Sequence, residues 1–297
     1  MELLLQKEGV KLKLLLKLKD QEFGNFLKFS SSFLIGLKDY SVGYSEFSIK
    51  DIKKILEDYP DIELFISINK NIFNKDLKDL EEKLKELSKL KIKAILFYDL
   101  SILSLVTRLN LNISLCYHQT HMVVNYNICK FYKNLGCEYA FLSTEIMESE
   151  MKEISEKTDI KLLAYFIGHP VISHSKRKLV SNFYNYKKKI NDKKINIIKE
   201  KGKEREYLIE ENSVGTNIYT GSVLNGTKAF INLKDELSYA VLDETFIEKD
   251  VYLKIVSYYK DYLDGKLLDL KLEKRIEDLI GSYDGFFYQK TIYKVKK

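Results

Sequence analysis

Residues 165–186 read Y-F-I-G-H-P-V-I-S-H-S-K-R-K-L-V-S-N-F-Y-N-Y and gather residue types that are rare in this chain of 297 residues. His169 and His174 are two of its four histidines, Pro170 is one of its two prolines, and Arg177 is one of its four arginines. The segment begins as an apolar, strand-like run, passes through the turn signal Gly-His-Pro and continues as a basic cluster. It therefore marks the point where a regular upstream pattern ends.

Upstream of this segment, apolar runs rich in β-formers alternate with stretches of helical periodicity. A Ser48-x-x-Asp51 capping box opens the first predicted helix, whose apolar positions run to Leu56. The later predicted helices cover residues 77–90, 100–109, 123–134 and 148–157. The predicted strands cover residues 33–37, 63–68, 92–98, 113–117, 138–142 and 160–167. Six such alternations with short links indicate a parallel sheet covered by helices.

The predicted fold class is α/β, and more closely a TIM-like (β/α) barrel, because a repeat of roughly 25–30 residues fits that fold. A doubly wound open sheet is the alternative, although no GxGxxG sequence follows an early strand. After the sixth strand we predict an inserted antiparallel excursion with strands at 206–211 and 217–220, inside a basic insertion at about 187–222. Strand 239–243 and helices 250–263 and 268–279 then complete a single domain over residues 1–297, which ends in a helical and aromatic C-terminal tail.

Composition limits the classes of partner and cofactor. The formal net charge of +6 permits an anionic partner without requiring one. Cys116, Cys129 and Cys137 have no CxxC spacing, so the sequence predicts buried thiols in a reducing cytosol, with no metal site and no iron–sulfur site. The N-terminal run 1–18 alternates Leu with Lys and Glu and does not read as a signal peptide, and no stretch approaches a membrane span. We expect a soluble, cytoplasmic protein.

The candidate site follows from the barrel geometry, because residues just past the carboxyl ends of parallel strands meet on one face. The sequence places His118, Glu145, His169 and Asp243 at such positions. Imidazoles and carboxylates that converge can serve acid–base chemistry or anion binding, although each could instead make only a structural hydrogen bond. Arg177 is the fifth catalytic candidate, and its alternative role is a buried fork that bonds the strand-end carboxylates. No serine-hydrolase elbow, HExxH sequence or P-loop is present.

A second set of residues suggests contact with RNA. Basic and aromatic residues are interleaved in and after the quoted segment, and lysines can neutralise phosphates while aromatic faces stack unpaired bases. The alternative is a solvated surface, since lysine is abundant throughout the chain. The predicted RNA-binding residues are Lys176, Lys178, Tyr184, Lys187, Lys188, Lys189 and Arg205.

Several motifs in order carry a family resemblance. The run G-H-P-V-I-S-H-S-K-R-K-L-V-S-N-F-Y at residues 168–184 precedes K-E-R-E-Y at 203–207 and Gly215-Thr216, and the chain ends in G-F-F-Y-Q-K-T-I-Y-K-V-K-K. Together these motifs resemble peptidase family U32, the collagenase-like bacterial proteins. The resemblance implies a TIM-barrel-like fold. It also implies either peptide hydrolysis or oxygen-independent hydroxylation, which in one branch places a 5-hydroxyl on the wobble uridine of tRNA with prephenate as co-substrate. Short members such as this chain look like that tRNA branch.

Departures from the family pattern shape the functional expectation. Family members usually read H-G-x-x-C, whereas Ile167 stands in place of that histidine, Val171 in place of that cysteine, and Gly168 is retained. Members with an iron–sulfur cluster use four cysteines, so the resemblance implies no cluster in this chain. We expect a part in tRNA wobble-uridine hydroxylation, as a subunit beside a longer, cysteine-bearing U32 paralogue. The alternatives are a collagenase-like peptidase and a non-catalytic barrel that binds RNA or a partner.

Overall fold

A computed structural model of the chain describes residues 11–19, 23–191, 195–199, 201–202 and 205–289. Parts of the N-terminal run, the basic insertion and the C-terminal tail that the sequence singled out lie outside these described residues. The strands in chain order are β1 (Lys13–Lys17), β2 (Ser32–Leu37), β3 (Glu46–Phe47), β4 (Glu63–Ile68), β5 (Ala94–Phe97), β6 (Leu115–Tyr117), β7 (Tyr139–Phe141), β8 (Lys161–Gly168), β9 (Val171–Ser175), β10 (Asn196–Lys199), β11 (Glu206–Glu211), β12 (Thr216–Thr220), β13 (Leu224–Asn225) and β14 (Tyr239–Asp243).

Parallel strands close into a ring in the order β1-β14-β8-β7-β6-β5-β4-β2. The closing pair is β1 with β2, in which Leu15 lies opposite Ser32. The predicted TIM-like barrel is therefore confirmed, and the open-sheet alternative is excluded because this sheet has no free edges along that path. β8 is the sixth of the strands that the sequence predicts but the seventh of the barrel, since β1 was not predicted.

Helices cover the outside of the ring. Ser48 Oγ accepts a hydrogen bond from the Asp51 amide, and the Asp51 carboxylate accepts one from the Ser48 amide at 3.0 Å, which confirms the predicted capping box. The helices are α1 (Ile49–Asp58), α2 (Leu77–Leu87), α3 (Leu100–Arg108), α4 (Tyr126–Asn134), α5 (Glu148–Lys157), α6 (Leu179–Tyr186), α7 (Thr227–Leu233), α8 (Lys249–Leu263) and α9 (Asp269–Ile280).

Large side chains fill the interior of the barrel towards the amino ends of its strands. The Phe65 ring contacts the rings of Tyr139 and Tyr239, with centroids 5.7 and 4.9 Å away. Glu63, the first residue of β4, accepts hydrogen bonds from the Ser32 hydroxyl at 2.7 Å and the Tyr239 hydroxyl at 2.9 Å. Because this end is packed and hydrogen-bonded, space for a ligand remains at the carboxyl ends of the strands.

The insertion after β8 is a separate antiparallel sheet in the order β10-β11-β12-β9. The predicted pairing of β11 with β12 is observed, with Ile209 opposite Ile218. The sheet begins at Val171, earlier than the predicted start near residue 187, because β9 pairs with β12. Asn217 and Asn212 on this sheet donate hydrogen bonds to the carbonyls of Val42 (3.3 Å) and Ser41 (2.9 Å). These contacts hold the insertion over the loop that follows β2.

The C-terminal tail packs against the barrel as far as it is described. The Phe287 ring is buried and stacks on Phe166 of β8 at a centroid distance of 5.8 Å. The Tyr283 carbonyl accepts a hydrogen bond from the Asn225 amide at 2.7 Å. Among the described residues, no helix combines the length and the apolar character that crossing a membrane requires.

Candidate functional site

A pocket lies at the carboxyl ends of the barrel strands, beneath the insertion. We call it the inner pocket, and its cavity volume is about 60 Å³. Residues from most of the strand ends contribute to it, as the parallel arrangement requires. Its walls are formed by Lys17, Leu34, Val42, Gly43, Tyr44, Asn69, Tyr98, His118, Thr120, Phe141, Leu142, Thr144, Tyr165, His169, Pro170, Val171, His174, Asn217, Val241 and Asp243.

A buried ion pair forms part of this pocket. Lys17 and Asp243 are the last residues of the adjacent strands β1 and β14 and lie opposite each other in register. The Lys17 Nζ is 2.6 Å from Asp243 Oδ2, and the two residues are only 5% and 1% exposed. Oδ2 also accepts a hydrogen bond from the Tyr165 hydroxyl at 2.9 Å, and Oδ1 accepts one from the Thr245 amide at 2.8 Å. These bonds offset the cost of removing both charges from water.

Gly168 makes the tyrosine contact with Asp243 possible. Its φ of +131° lies in a region that L side chains rarely adopt. A Cβ atom at this position would lie 2.2 Å from the Tyr165 hydroxyl oxygen and 2.7 Å from the Asp243 Cβ. The glycine that the family resemblance retains therefore leaves room for the phenol beside the carboxylate.

His118 enters the pocket from the end of β6. Its ring stacks on Phe141 with centroids 4.3 Å apart and meets the edge of Tyr98. The residue is partly buried as a whole, but Nδ1 is fully buried and has no hydrogen-bond partner among the described residues. Burial, and secondarily the charge of Lys17, lowers the pKa of His118 to about 3. The imidazole is therefore neutral at physiological pH and keeps an unused polar nitrogen.

This low pKa makes stability depend on pH. Well above pH 6.5, His118 is neutral in both the folded and the unfolded chain. Between pH 6.5 and about 3, only the unfolded chain takes up a proton on this imidazole, so the free energy of unfolding falls as the pH falls. Between pH 7 and pH 5 we expect this residue to remove roughly 1–2 kcal/mol of the free energy of unfolding. Urea unfolding of His118→Gln should show a smaller loss over this interval than the wild type. Equal pH dependence in His118→Gln and the wild type would contradict the assignment.

Two further imidazoles reach the pocket from the quoted segment. His169 is 4% exposed and its Nδ1 lies 2.8 Å from the Thr220 carbonyl, so Nδ1 carries the proton and Nε2 is the acceptor. Burial lowers the pKa of His169, so the neutral form is favoured. His174 Nδ1 lies 2.8 Å from Asn217 Oδ1, whose amide nitrogen donates to Val42, so Nδ1 donates this hydrogen bond. The pocket thus combines the neutral imidazoles of His118 and His169 with a charge-balanced Lys–Asp pair.

A wider cleft adjoins the inner pocket, and we call it the outer groove. It has a cavity volume of about 950 Å³ and lies between the antiparallel sheet and the C-terminal tail. Glu145 lies in this groove and forms a 3.0 Å contact with His121 Nδ1. The two cavities share Thr144, Pro170 and Val171 in their walls, so they adjoin each other. The other groove residues are Ile172, Arg205, Glu206, Tyr207, Thr220, Gly221, Ser222, Leu224, Tyr283, Gly285, Phe286 and Gln289.

Comparison with known proteins identifies the family. Residues 31–274 match the family model described as peptidase family U32. The chain belongs to peptidase family U32. A solved structure of the U32 peptidase Mk0906 is 11% identical and has a TM-score of 0.52, with 80% of this chain and 94% of that chain covered. At this identity the likeness concerns the fold alone.

Two curated relatives of this U32 chain come from Bacillus subtilis (strain 168). The tRNA hydroxylation protein P2 is 22% identical over 290 residues, which cover 89% of this chain and 93% of that relative. The tRNA hydroxylation protein P1 is 26% identical over 152 residues, which cover 50% of this chain and 36% of that relative. Two paralogous proteins of one bacterium are thus both similar to this chain.

The structure brings together three of the five predicted catalytic residues of this U32 chain. His118, His169 and Asp243 line the inner pocket, and Glu145 lies next to them in the outer groove. Arg177 lines neither cavity, because β9 carries the chain away from the barrel before this residue. It is exposed and pairs with no carboxylate of the described residues, so the alternative of a buried fork is wrong. The catalytic roles themselves stay predictions.

The predicted RNA-binding residues lie in two places. Most flank or occupy α6, where the lysines are exposed and Tyr184 is half-buried. Lys176 Nζ lies 3.5 Å from the centroid of the Phe73 ring. Arg205 is exposed and lines the outer groove. Both the RNA contact and the alternative of a solvated surface are compatible with this exposure, so the prediction stays open.

Sequence reasoning missed several residues of the pocket, above all Lys17, Tyr44 and Tyr165. Lys17 ends the run K-L-L-L-K of β1. In the sequence this run reads only as part of an alternation of Leu with Lys and Glu. The sequence signal for this pair is a lysine that ends a short leucine run. The sequence does not show that an aspartate lies opposite this lysine. Tyr165 and Gly168 lie three residues apart in β8, and this spacing could have indicated that the glycine leaves room for the tyrosine side chain.

The cysteines of this U32 chain do not match the usual ligand set of an iron–sulfur cluster. Such clusters are held by four ligands, usually cysteine thiolates, whereas the chain has three cysteines, all of them buried. Burial raises the pKa of Cys129 and of Cys137 to about 12 and that of Cys116 well above its usual value, so all three are thiols. In the part of the chain that the structure describes, no group of three or more His, Cys, Asp or Glu side chains is arranged to hold a metal ion.

Proposed function

We propose that this U32 protein takes part in the prephenate-dependent 5-hydroxylation of the wobble uridine of tRNA. The observation that carries the proposal is the similarity to the tRNA hydroxylation protein P2 over nearly the full length of both chains. A tRNA substrate requires a cytoplasmic protein. The basic residues on and around α6 would contact the tRNA phosphates, which lysines neutralise.

The inner pocket supports this chemistry. An enzyme that modifies a base must take that base out of the stack, and the inner pocket at the strand ends would receive the reactive edge of an extruded base. Neutral imidazoles with free acceptor nitrogens can accept a proton or bind a hydroxyl group. Prephenate is an anionic dicarboxylate, and Lys17, which is paired with Asp243, is the lysine among the described residues that line the pocket.

The departures from the family pattern support a partner. Val171, which stands where family members usually have a cysteine, lines the junction of the inner pocket and the outer groove. An apolar side chain at this point supplies no thiol. We therefore propose that a longer, cysteine-bearing U32 paralogue assembles with this chain and supplies the missing group. The described residues that line the inner pocket include neither serine nor cysteine, so this lining offers no serine hydroxyl or thiol as the nucleophile of the collagenase-like peptidase alternative.

Deletion of the gene tests the proposed function. Because this chain is proposed to take part in the reaction, the tRNA of the deletion strain should lack 5-hydroxyuridine and the modifications built on it. Mass spectrometry of the digested tRNA measures this loss, and a plasmid with the wild-type gene should restore it. An unchanged content of 5-hydroxyuridine in the deletion strain would exclude the proposed role.

A further inference from the structure

The outer groove presents aromatic side chains from two independent elements. Tyr207 comes from β11, whereas Tyr283 and Phe286 come from the C-terminal tail. Tyr283 is 39% exposed, and the rings of Tyr207 and Phe286 are partly exposed. Aromatic rings that remain accessible within a cleft expose apolar surface that a ligand can cover. This arrangement therefore points to a flat, partly apolar ligand.

Both walls of the groove are held by the surrounding structure. Tyr207 sits in the middle of the antiparallel sheet, opposite Thr220 on one side and Ile198 on the other. The tail is anchored by its backbone bond to Asn225 and by the buried ring of Phe287. The rings are thus presented by ordered backbone, so little conformational entropy would be lost when a ligand binds to them.

A positive charge lies in the same groove as the rings. Arg205 and Tyr283 both line the outer groove, and the charge of Arg205 opposes the rise that burial causes in the pKa of Tyr283. Glu206, a neighbouring acid in the groove, is paired with Lys199. A guanidinium is suited to phosphate because its planar fork can donate two parallel hydrogen bonds. The groove therefore offers an anion contact next to aromatic surfaces.

We propose that the outer groove binds an unpaired nucleotide of RNA, with the base stacked on Tyr207 and Tyr283 and the phosphate bound by Arg205. Every base has a π-face, so exposed aromatic side chains can stack an unpaired base. Arg205 supplies the cation of the groove, whose two acids, Glu145 and Glu206, contact His121 and Lys199. Because the groove adjoins the inner pocket, this nucleotide would neighbour the base that reacts beside His118 and His169. The inference rests on the proposed function, since it takes the RNA to be the substrate of that same site.

The test uses the full chain and an anticodon stem–loop RNA with 2-aminopurine at an unpaired loop position. Wild-type protein should quench the probe, since stacking on an aromatic ring quenches it. Tyr207→Ala and Tyr283→Ala should each weaken binding by roughly 5- to 150-fold, since loss of one stacking ring costs about 1–3 kcal/mol. Tyr207→Phe and Tyr283→Phe keep the ring and should bind like the wild type. Arg205→Gln should reduce the slope of log affinity against log salt by about 1.

Controls separate this inference from the proposed function. Phe131→Ala, which removes a 57% exposed ring on α4 outside the groove, should leave binding and quenching unchanged. A triple change of Lys187, Lys188 and Lys189 to Gln should weaken binding and its salt dependence while the quenching at saturation is retained.

Three outcomes would overturn the groove assignment. If both tyrosine-to-alanine variants bind and quench like the wild type, the groove assignment fails while tRNA binding stands. If the wild type does not bind the stem–loop at low salt, both the groove assignment and the proposed function fail. If a fluorescently labelled pool of unstructured peptides binds the wild type but neither Tyr207→Ala nor Tyr283→Ala, and RNA does not bind, the groove belongs to a peptide and the RNA assignment is overturned.

Discussion

Replacement of Lys17 by methionine is expected to lower the free energy of unfolding by about 3–5 kcal/mol. The change keeps most of the volume of the side chain but leaves the Asp243 carboxylate without its cation at a position that is 1% exposed. Removing one partner of a buried pair is costly because the remaining charge has lost both water and its counter-charge. Urea unfolding followed by circular dichroism measures the loss.

A double substitution tests whether the uncompensated charge is the cause. Lys17→Met combined with Asp243→Asn removes both charges, and it should regain at least half of the stability that Lys17→Met loses, because no ion remains buried. The matched control is Lys53→Met, which breaks an exposed pair with Glu57 at 3.8 Å and should change stability by less than about 0.5 kcal/mol. A loss in Lys17→Met no larger than that of this control would show that the pair is not structurally important.

Much of the barrel could be predicted from the sequence because local patterns and tertiary burial agree there. β-Forming runs predict the strands Glu63–Ile68 and Tyr239–Asp243, and helical periodicity predicts the helix Glu148–Lys157. The fold buries the apolar residues of these elements, as the patterns indicate. Other observed element boundaries differ from the predicted ones by a few residues. Helix α4, for example, begins at Tyr126, whereas the predicted helix begins at residue 123. Helix ends depend on capping, and the Asn125 side chain caps this one.

The missed elements are those whose burial depends on partners distant in sequence. β1 ends in a lysine that is buried only because Asp243 of β14 lies opposite it, and no local pattern shows this. β9 contains polar residues such as His174 and Ser175, which read as a turn, yet it pairs with β12 more than 40 residues later. Helix α6 was likewise not predicted, because it lies in a segment that reads as a basic cluster.

The candidate site was predicted in part for the same reason. The rule that strand ends converge located His118, His169 and Asp243, since it needs only the strand order of a parallel barrel. It could not place Arg177, because the chain crosses into the antiparallel sheet before that residue. It also could not identify Tyr165, which points into the pocket from within β8 and reaches Asp243 only because Gly168 has no side chain.

The second large effect is expected at the inner pocket. If the base reacts there, His118→Gln and His169→Gln should reduce 5-hydroxyuridine in tRNA to below about a tenth of the wild-type level, since a positioned acid or base contributes roughly 10²–10⁴ in rate. Glutamine keeps a polar, uncharged side chain of similar length in each position, so hydrogen bonding is retained while proton transfer is lost. His121→Gln serves as the control because His121 is 46% exposed at its side chain and does not line the inner pocket.

The most direct test measures 5-hydroxyuridine by mass spectrometry in tRNA from the deletion strain, after complementation with each of these genes at equal protein levels. The account predicts full restoration by the wild type and by His121→Gln, and little or none by His118→Gln and His169→Gln. Full restoration by both inner-pocket variants would contradict the claim that this pocket is where the uridine is modified.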